Sequence, residues 1–372
     1  MFISSYARTI INFRGSLIRD LIDLNAEVYV VAPNYDEDIR KDLKKLGAKP
    51  VDYFLDRTGM CFINDIRTII QLLGILAKIR PRMIIAYNIK PIIYGLLAGA
   101  IVRIPYRIAL IEGLGFAFVQ EDSIRKKFIC MFAKFLYKLS LCFASLVFFL
   151  NRDDSDEFIR LRLVDPRKVR HICGIGVLLN EWQPQPPMLN PITFTLAARL
   201  IKEKGIYDFV KAATMIKIRY PHTRFIILGP LDTSPGAIRK AEIDEWVKSG
   251  IIEWPGLVLD IRKYIAKTSV FVLPSYYREG VPRSIQEAMA MGRPIITTDV
   301  PGCRETVVNG VNGFLIPPMD AKSLANKMEE FILRPMLICQ MGGESRRIAE
   351  ERFNSRKINS MIIKEIAMIE TD

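Results

Sequence analysis

From the first residue to about 173, short β-branched and aromatic runs alternate with segments whose apolar positions recur at helical spacing. The strand-like runs are MFISS (1–5), EVYVVAP (27–33), RMIIAY (82–87), RIALIEG (107–113) and LVFFLN (146–151), with helical pattern over 64–79 and 91–102. They are apolar almost throughout rather than at every second position, which is the pattern of a parallel sheet covered on both faces. A polar, proline-rich stretch, GIGVLLNEWQPQPPMLNP (174–191), breaks the alternation and reads as a linker. The pattern then restarts. ITFTLAAR (192–199), RFIILGP (224–230), IIEWPG (251–256), SVFVLP (269–274), PIITTD (294–299) and GFLIPP (313–318) are predicted strands, separated by helices near 205–219, 235–248, 260–267, 283–291 and 320–333. Helical pattern continues from about 336 to the end. The chain is read as α/β with two doubly wound domains, 1–173 and 192–350, joined by 174–191 and closed by a helix over 351–372. That helix either completes the second domain or crosses back to brace the first.

One junction carries candidate chemistry. SVFVLP leads through SYYREGV into PRSIQEAMAMG, a helix with proline at its start and glycine at its end. The loop lies on the carboxyl edge of a parallel sheet, where such folds bind ligands. Free amides from Gly280 onward and the positive end of the helix dipole favour an anion. Glu287, one turn into the helix, can accept two hydrogen bonds from a diol. An anion beside a diol describes a nucleotide. The competing reading makes Glu279 and Glu287 solvated acids that stabilise the helix dipole. A second constellation, ITFTLAARLIKEKG, sends Arg199, Lys202 and Lys204 from another strand end, where they can neutralise a diphosphate or form an ordinary basic loop.

Composition narrows the partners. The net charge of +13 calls for an acidic one: nucleic acid, anionic lipid or a phosphorylated small molecule. No helix-turn-helix, zinc-finger or RNA-binding aromatic signature accompanies it. The six cysteines show no metal-ligand or CxxC spacing, so they read as reduced thiols in a cytosolic protein. MFISSYARTIINFRG lacks the layout of a secretory signal and reads as a strand entering a loop. Phe128 to Leu150 is apolar, but Lys134 and Lys138 interrupt it, so a membrane span is not expected. IRKKFICMFAKFLYKLSL (124–141) mixes cations with aromatic and aliphatic groups; it is either an interfacial helix on an anionic membrane or a core helix with lysines at its rim. The D-x-D of Asp154 to Asp156 is read as part of a helix start rather than a metal site.

ARLIKEKG, VLPSYYREGVPRSIQEAMAMGRPIITTD and PGCRETVVNGVNGFLIPP, in that order, resemble family 4 glycosyltransferases, with Glu279 and Glu287 as the E-x7-E pair. The resemblance covers about 195–318; INFRG and EGLG resemble the family more loosely. It implies a GT-B fold, two Rossmann-like domains facing across a cleft, and a UDP-sugar donor held by the C-terminal domain. Arg199 and Lys204 would grip the diphosphate, Glu287 the ribose, Glu279 the donor sugar, and Gly280, Val281 and Pro282 would supply backbone contacts. Asn12-Phe13-Arg14-Gly15 would be a loop whose glycine approaches the phosphates. A family histidine is missing at the strand end IEGLG, so Glu112 becomes the polar candidate there, for positioning, proton acceptance or merely stabilising a turn. Retention of configuration is implied, with no metal required. GLGFAF with PGCRETV resembles the branch that transfers hexosamine or galactose in bacterial surface polysaccharide assembly. A polyprenyl-diphosphate saccharide acceptor, on the inner face of the cell membrane, would then call on Arg14, Arg103, Arg107, Arg125, Lys126, Lys127 and Lys134. The rivals are a two-Rossmann nucleotide-sugar epimerase, a nucleic-acid-binding protein, and a phosphorylase-like or noncatalytic sugar binder.

Overall fold

The computed structural model describes residues 1–56, 61–114, 124–234 and 236–371, with backbone alone at 124–126 and 371. The chain divides into two units, one comprising Met1–Ile175 with Ser355–Asp372, the other Gly176–Asn354.

In the first unit the order is β1 (Phe2–Ile3), α1 (Ala7–Asp23), β2 (Tyr29–Ala32), α2 (Glu37–Lys45), β3 (Lys49–Asp52), α3 (Phe62–Ile79) and β4 (Met83–Tyr87). It continues through α4 (Ile89–Ile101), β5 (Tyr106–Ile111), α5 (Ile124–Cys142), β6 (Leu146–Phe149), α6 (Arg152–Arg160) and β7 (Val169–His171). Among the described residues the strands form one parallel sheet in the order β3-β2-β1-β4-β5-β6-β7. The chain therefore winds outward from β1 in one direction and returns to wind the other way from β4. Right-handed crossovers then put α1 and α2 on one face and α3, α4 and α5 on the opposite face. Ile84, Ala86, Ala109, Val147 and Phe149 of the strands join Leu72, Leu96 and Leu141 of those helices in one buried core.

The second unit runs β8 (Thr193–Ala197), α7 (Ile206–Arg219), β9 (Arg224–Leu228), α8 (Lys240–Lys248), α9 (Arg262–Ala266) and β10 (Val270–Leu273). It goes on through α10 (Arg283–Ala290), β11 (Ile295–Thr298), β12 (Gly313–Ile316), α11 (Ala321–Leu333) and α12 (Met336–Arg352). Its parallel sheet has the order β12-β11-β10-β8-β9, so the winding reverses between β8 and β10. All four residues of β10 and all five of β8 are buried; β10 reads as an unbroken apolar run, and β8 carries the buried Thr193 and Thr195 among its apolar residues.

Several expectations are corrected. Residues 12–15 are not a loop: they sit inside α1, which the sequence hides because its N-cap, Tyr6, makes no side-chain capping bond. Gly15 is helical, and a Cβ there would meet only Ile11 and Leu46 side chains at 3.9 Å, so no close backbone approach requires it. IIEWPG forms an isolated bridge, Ile226 with Glu253, instead of a strand; Pro255 has no N–H with which to extend a ladder. The edge strands KPVD and VRH are too short and polar to stand out. The proline-rich stretch is docked on the second unit: Val177 N donates to Phe353 O at 2.8 Å and Arg346 Nη1 to Trp182 O at 2.8 Å. α12 closes that unit, while α13 (Ser355–Thr371) belongs to the first, where Asn359 Nδ2 donates to Asp20 Oδ2 at 2.7 Å.

Candidate active site

At the β8/β10 reversal of the second unit, the loops that follow β8 and β10 are locked together. After β8, Lys202–Lys204 make a single tight helical turn and Gly205 (φ +73°) opens α7. A Cβ on Gly205 would lie 2.1 Å from Pro274 O, so only glycine lets this turn press on the end of β10. The Glu203 carbonyl then accepts from Tyr276 N at 2.9 Å, Tyr277 N at 3.1 Å and Ser275 Oγ at 3.1 Å. Lys204 Nζ donates to Glu279 Oε1, and the same oxygen lies 3.0 Å from Ser275 Oγ as an alternative acceptor for that hydroxyl's one proton. The two charged side chains are only 13% and 12% exposed, which sets aside the reading of Glu279 as a solvated dipole partner.

The helix start is built differently. Pro282 caps α10 with no side-chain bond, and no acid occupies its first turn, so the helix itself supplies no carboxylate to offset the positive end of its dipole. Fully buried Gln286 fixes the approach, donating to Val281 O at 3.0 Å and accepting from Gly176 N at 2.9 Å. Arg283 Nε donates to Glu287 Oε1 at 2.9 Å, and Glu287 is 12% exposed. Burial raises the Glu287 pKa against the opposing pull of the Arg283 guanidinium. Arg199 is half exposed and bonds Asp232 at 3.0 Å. Burial works against the Asp232 charge, but the Ser234 N–H and the Arg199 guanidinium outweigh it and hold the pKa low. Beneath the site burial pushes the Cys303 thiol up to about 12, with the Glu279 charge adding to the effect.

In the first unit Arg14 and Glu112 meet. Arg14 is 2% exposed and donates through Nη2 to Glu112 Oε1, with Tyr87 beneath its guanidinium at 5.4 Å. These residues lie by the carboxyl ends of β4 and β5, beside the β1/β4 reversal, where Ser5 Oγ donates to Asn88 Oδ1 at 3.0 Å. Glu112 is therefore an oriented carboxylate. Arg14, expected as a cation for the acceptor diphosphate, is instead buried as the partner of Glu112. Arg103 and Arg107 stand at the opposite, amino edge of β5. Arg103 is exposed, and Arg107 is spent on Phe143 O at 2.7 Å and on the Ile104 carbonyl, so neither joins Glu112 at an acceptor site.

On α5, Lys127 is exposed and Lys134 half-buried; the side chains of Arg125 and Lys126, and residues 115–118 of GLGFAF, lie outside the described residues. Asp154 is buried and accepts from Asn151 Nδ2 at 2.9 Å, while Asp156 is exposed; the cap of α6 is Asn151. No helix among the described residues is long and apolar enough to cross a membrane. Sequence reading missed Ser275, Glu203 and Tyr277 as site-builders. The position of Ser275 directly after a buried strand and four residues before Glu279 was the available signal.

The family model described as "Glycosyl transferases group 1" matches residues 191–333. Over 341 residues the chain is 30% identical to the N,N'-diacetylbacillosaminyl-diphospho-undecaprenol alpha-1,3-N-acetylgalactosaminyltransferase of Campylobacter jejuni, covering 88% of this chain and 87% of that protein. It is 26% identical over 329 residues to the UDP-Gal:alpha-D-GlcNAc-diphosphoundecaprenol alpha-1,3-galactosyltransferase of Escherichia coli, covering 82% of each. The fold matches that of Anabaena HepE, crystallised in complex with UDP, at a TM-score of 0.77 and 18% identity, over 99% of both chains. The matched family consists of transferases, which sets aside the epimerase and nucleic-acid readings. The chain belongs to the group 1 glycosyltransferases and is an enzyme of the GT-B fold.

Proposed function

We propose that the enzyme transfers a hexose or N-acetylhexosamine from a UDP-sugar to a polyprenyl-diphosphate-linked saccharide, with retention of configuration, during surface polysaccharide or glycan assembly. The observation that carries this reading is the buried Lys204–Glu279 pair, which ties the loop after β8, where half-exposed Arg199 also lies, to the loop that leads into α10. An arriving diphosphate offers Lys204 a better-charged partner than one carboxylate. Lys204 then turns to the phosphate oxygens, and Glu279 is released to accept hydrogen bonds from donor-sugar hydroxyls. Arg199 and the α10 amides, with Gly280, Val281 and Pro282 at the approach, share the leaving-group charge. This cationic set supports departure of UDP with no metal required, and such preorganised groups are each worth about 10²–10³ in rate. Glu287, held by Arg283, takes the ribose.

Glu112, fixed by Arg14, is the acceptor-side group, positioning the acceptor hydroxyl or taking its proton. The lipid-linked acceptor and the choice among UDP-N-acetylgalactosamine, UDP-N-acetylglucosamine and UDP-galactose rest on the relatives that act on diphospho-undecaprenol substrates. An acceptor of that kind places the enzyme on the inner face of the cell membrane as a peripheral protein. The test is incubation with each UDP-sugar and undecaprenyl-diphosphate saccharides, read by mass spectrometry of the lipid. The gain in mass separates hexose from N-acetylhexosamine, and scalar coupling of the new anomeric proton reads the configuration. Failure of every donor to add mass to any lipid-linked saccharide would sink the proposal.

A further inference from the structure

We infer that the outer surface of the α3/α4/α5 layer of the first unit is a docking face for an anionic lipid bilayer. This inference deepens the lipid-linked acceptor reading and rests on it for its biological purpose. Two helices that are not adjacent in sequence flank α4 and share one face of the sheet. Along α5, Phe128, Met131, Phe132, Phe135 and Leu139 form a stripe at helical spacing, each at least 41% exposed. Along α3, Phe62, Ile63, Ile66 and Ile70 do the same, again at least 41% exposed. Surfaces of soluble monomers rarely leave so many large apolar groups together.

Charge selects the occupant. α5 contains no acid, and the one acid of α3, Asp65, is bound to Lys90 at 2.7 Å. Lys127 and Lys138 on α5, and Arg67 and Lys78 on α3, are exposed among the apolar groups. Interfaces between proteins are depleted in lysine, whereas lysine among aromatic groups with no acid is the composition of an interfacial helix on anionic lipid.

The crossovers also set a direction. Each of these helices runs from the carboxyl edge of the sheet to the amino edge, so the bulky starts, Phe62 to Ile66 and Phe128 to Phe132, border the edge that carries Arg14 and Glu112. A face embedded about 5–10 Å deep holds that edge at headgroup level, where a lipid diphosphate resides.

Flotation of the full chain with vesicles tests the inference, using phosphatidylcholine alone or mixed with phosphatidylglycerol, and no sugar acceptor. Three variants are compared: Phe132→Ser with Phe135→Ser, Ile63→Ser with Ile66→Ser, and Lys127→Gln with Lys138→Gln. The parent should float with anionic vesicles. The lysine pair should weaken binding to them by about fivefold per cation and leave the neutral vesicles unaffected. Each apolar pair should bind at least tenfold more weakly, with UDP affinity by calorimetry unchanged in every variant. The inference is overturned if the parent stays unbound, if the α3 pair floats like the parent, or if the apolar variants break a dimer in vesicle-free buffer without altering flotation. Because no sugar is transferred in this assay, an enzyme that floats yet glycosylates no lipid defeats the acceptor reading alone.

Discussion

Replacing Gly302 with alanine probes how the PGCRETV turn supports the donor-side loop. Gly302 has φ +80°, and a Cβ there would stand 2.2 Å from Gly280 O and 2.5 Å from Glu279 O. Two costs follow. Holding an L-residue in left-handed backbone costs about 1–2 kcal/mol. Forcing a methyl group into a filled space adds about 1–3 kcal/mol, here taken up by moving the peptide that carries Glu279. Gly310 supplies the control, since it has the same φ of +80° and nothing lies within 4 Å of its would-be Cβ. Gly310→Ala therefore bears the backbone cost alone. Urea unfolding of the two variants should differ by about 1–3 kcal/mol, the steric part by itself. Calorimetric titration of UDP should weaken in Gly302→Ala and stay at the parent value in Gly310→Ala. Equal stabilities, or parental UDP affinity in Gly302→Ala, would refute the idea that this glycine exists to let the two loops touch.

Other expectations follow from the same geometry. Glu287→Ala should weaken UDP binding, whereas Glu279→Ala should chiefly lower kcat; the reverse split in steady-state kinetics and calorimetry would exchange their roles. Because burial raises the Glu287 pKa, its contribution to stability is present at low pH and is lost as pH rises through the folded value. Glu287→Gln should therefore lose less stability than the parent as pH rises above the ordinary carboxylate range, in parallel urea titrations. Arg14→Ala strands Glu112 and should destabilise the first unit by about 3 kcal/mol, the low end for a broken buried pair because Glu112 keeps 16% exposure; an unfolding midpoint like the parent's would contradict the pairing. Cys303, a buried thiol raised to about 12, should resist alkylation at neutral pH until the protein unfolds, while exposed Cys61, Cys142 and Cys339 react in the native state, as peptide mass mapping would report.

The residue pattern alone was enough for the alternation of strands and helices and for the central strands, because a strand buried on both faces carries apolar and β-branched residues with no charge to blur it. It was enough, too, for the E-x7-E stretch, whose proline and glycine mark the start and end of a helix by local backbone rules. It failed where local signals were weak or absent. α1 begins without a side-chain cap, so residues 12–15 looked like a loop. The proline-rich stretch looked like a free linker because its docking bonds reach Phe353 and Arg346, far along the chain.

The partners of the charged groups lay beyond any local pattern. Lys204 meets Glu279 across 75 residues and Arg14 meets Glu112 across 98, and the exposed stripes of α3 and α5 share a face only because the sheet reverses its winding at β1 and β4. Periodicity reports which side of an element is apolar, a property of near neighbours. Which carboxylate meets which cation depends on strand order and crossover hand, and those are settled when distant segments pack.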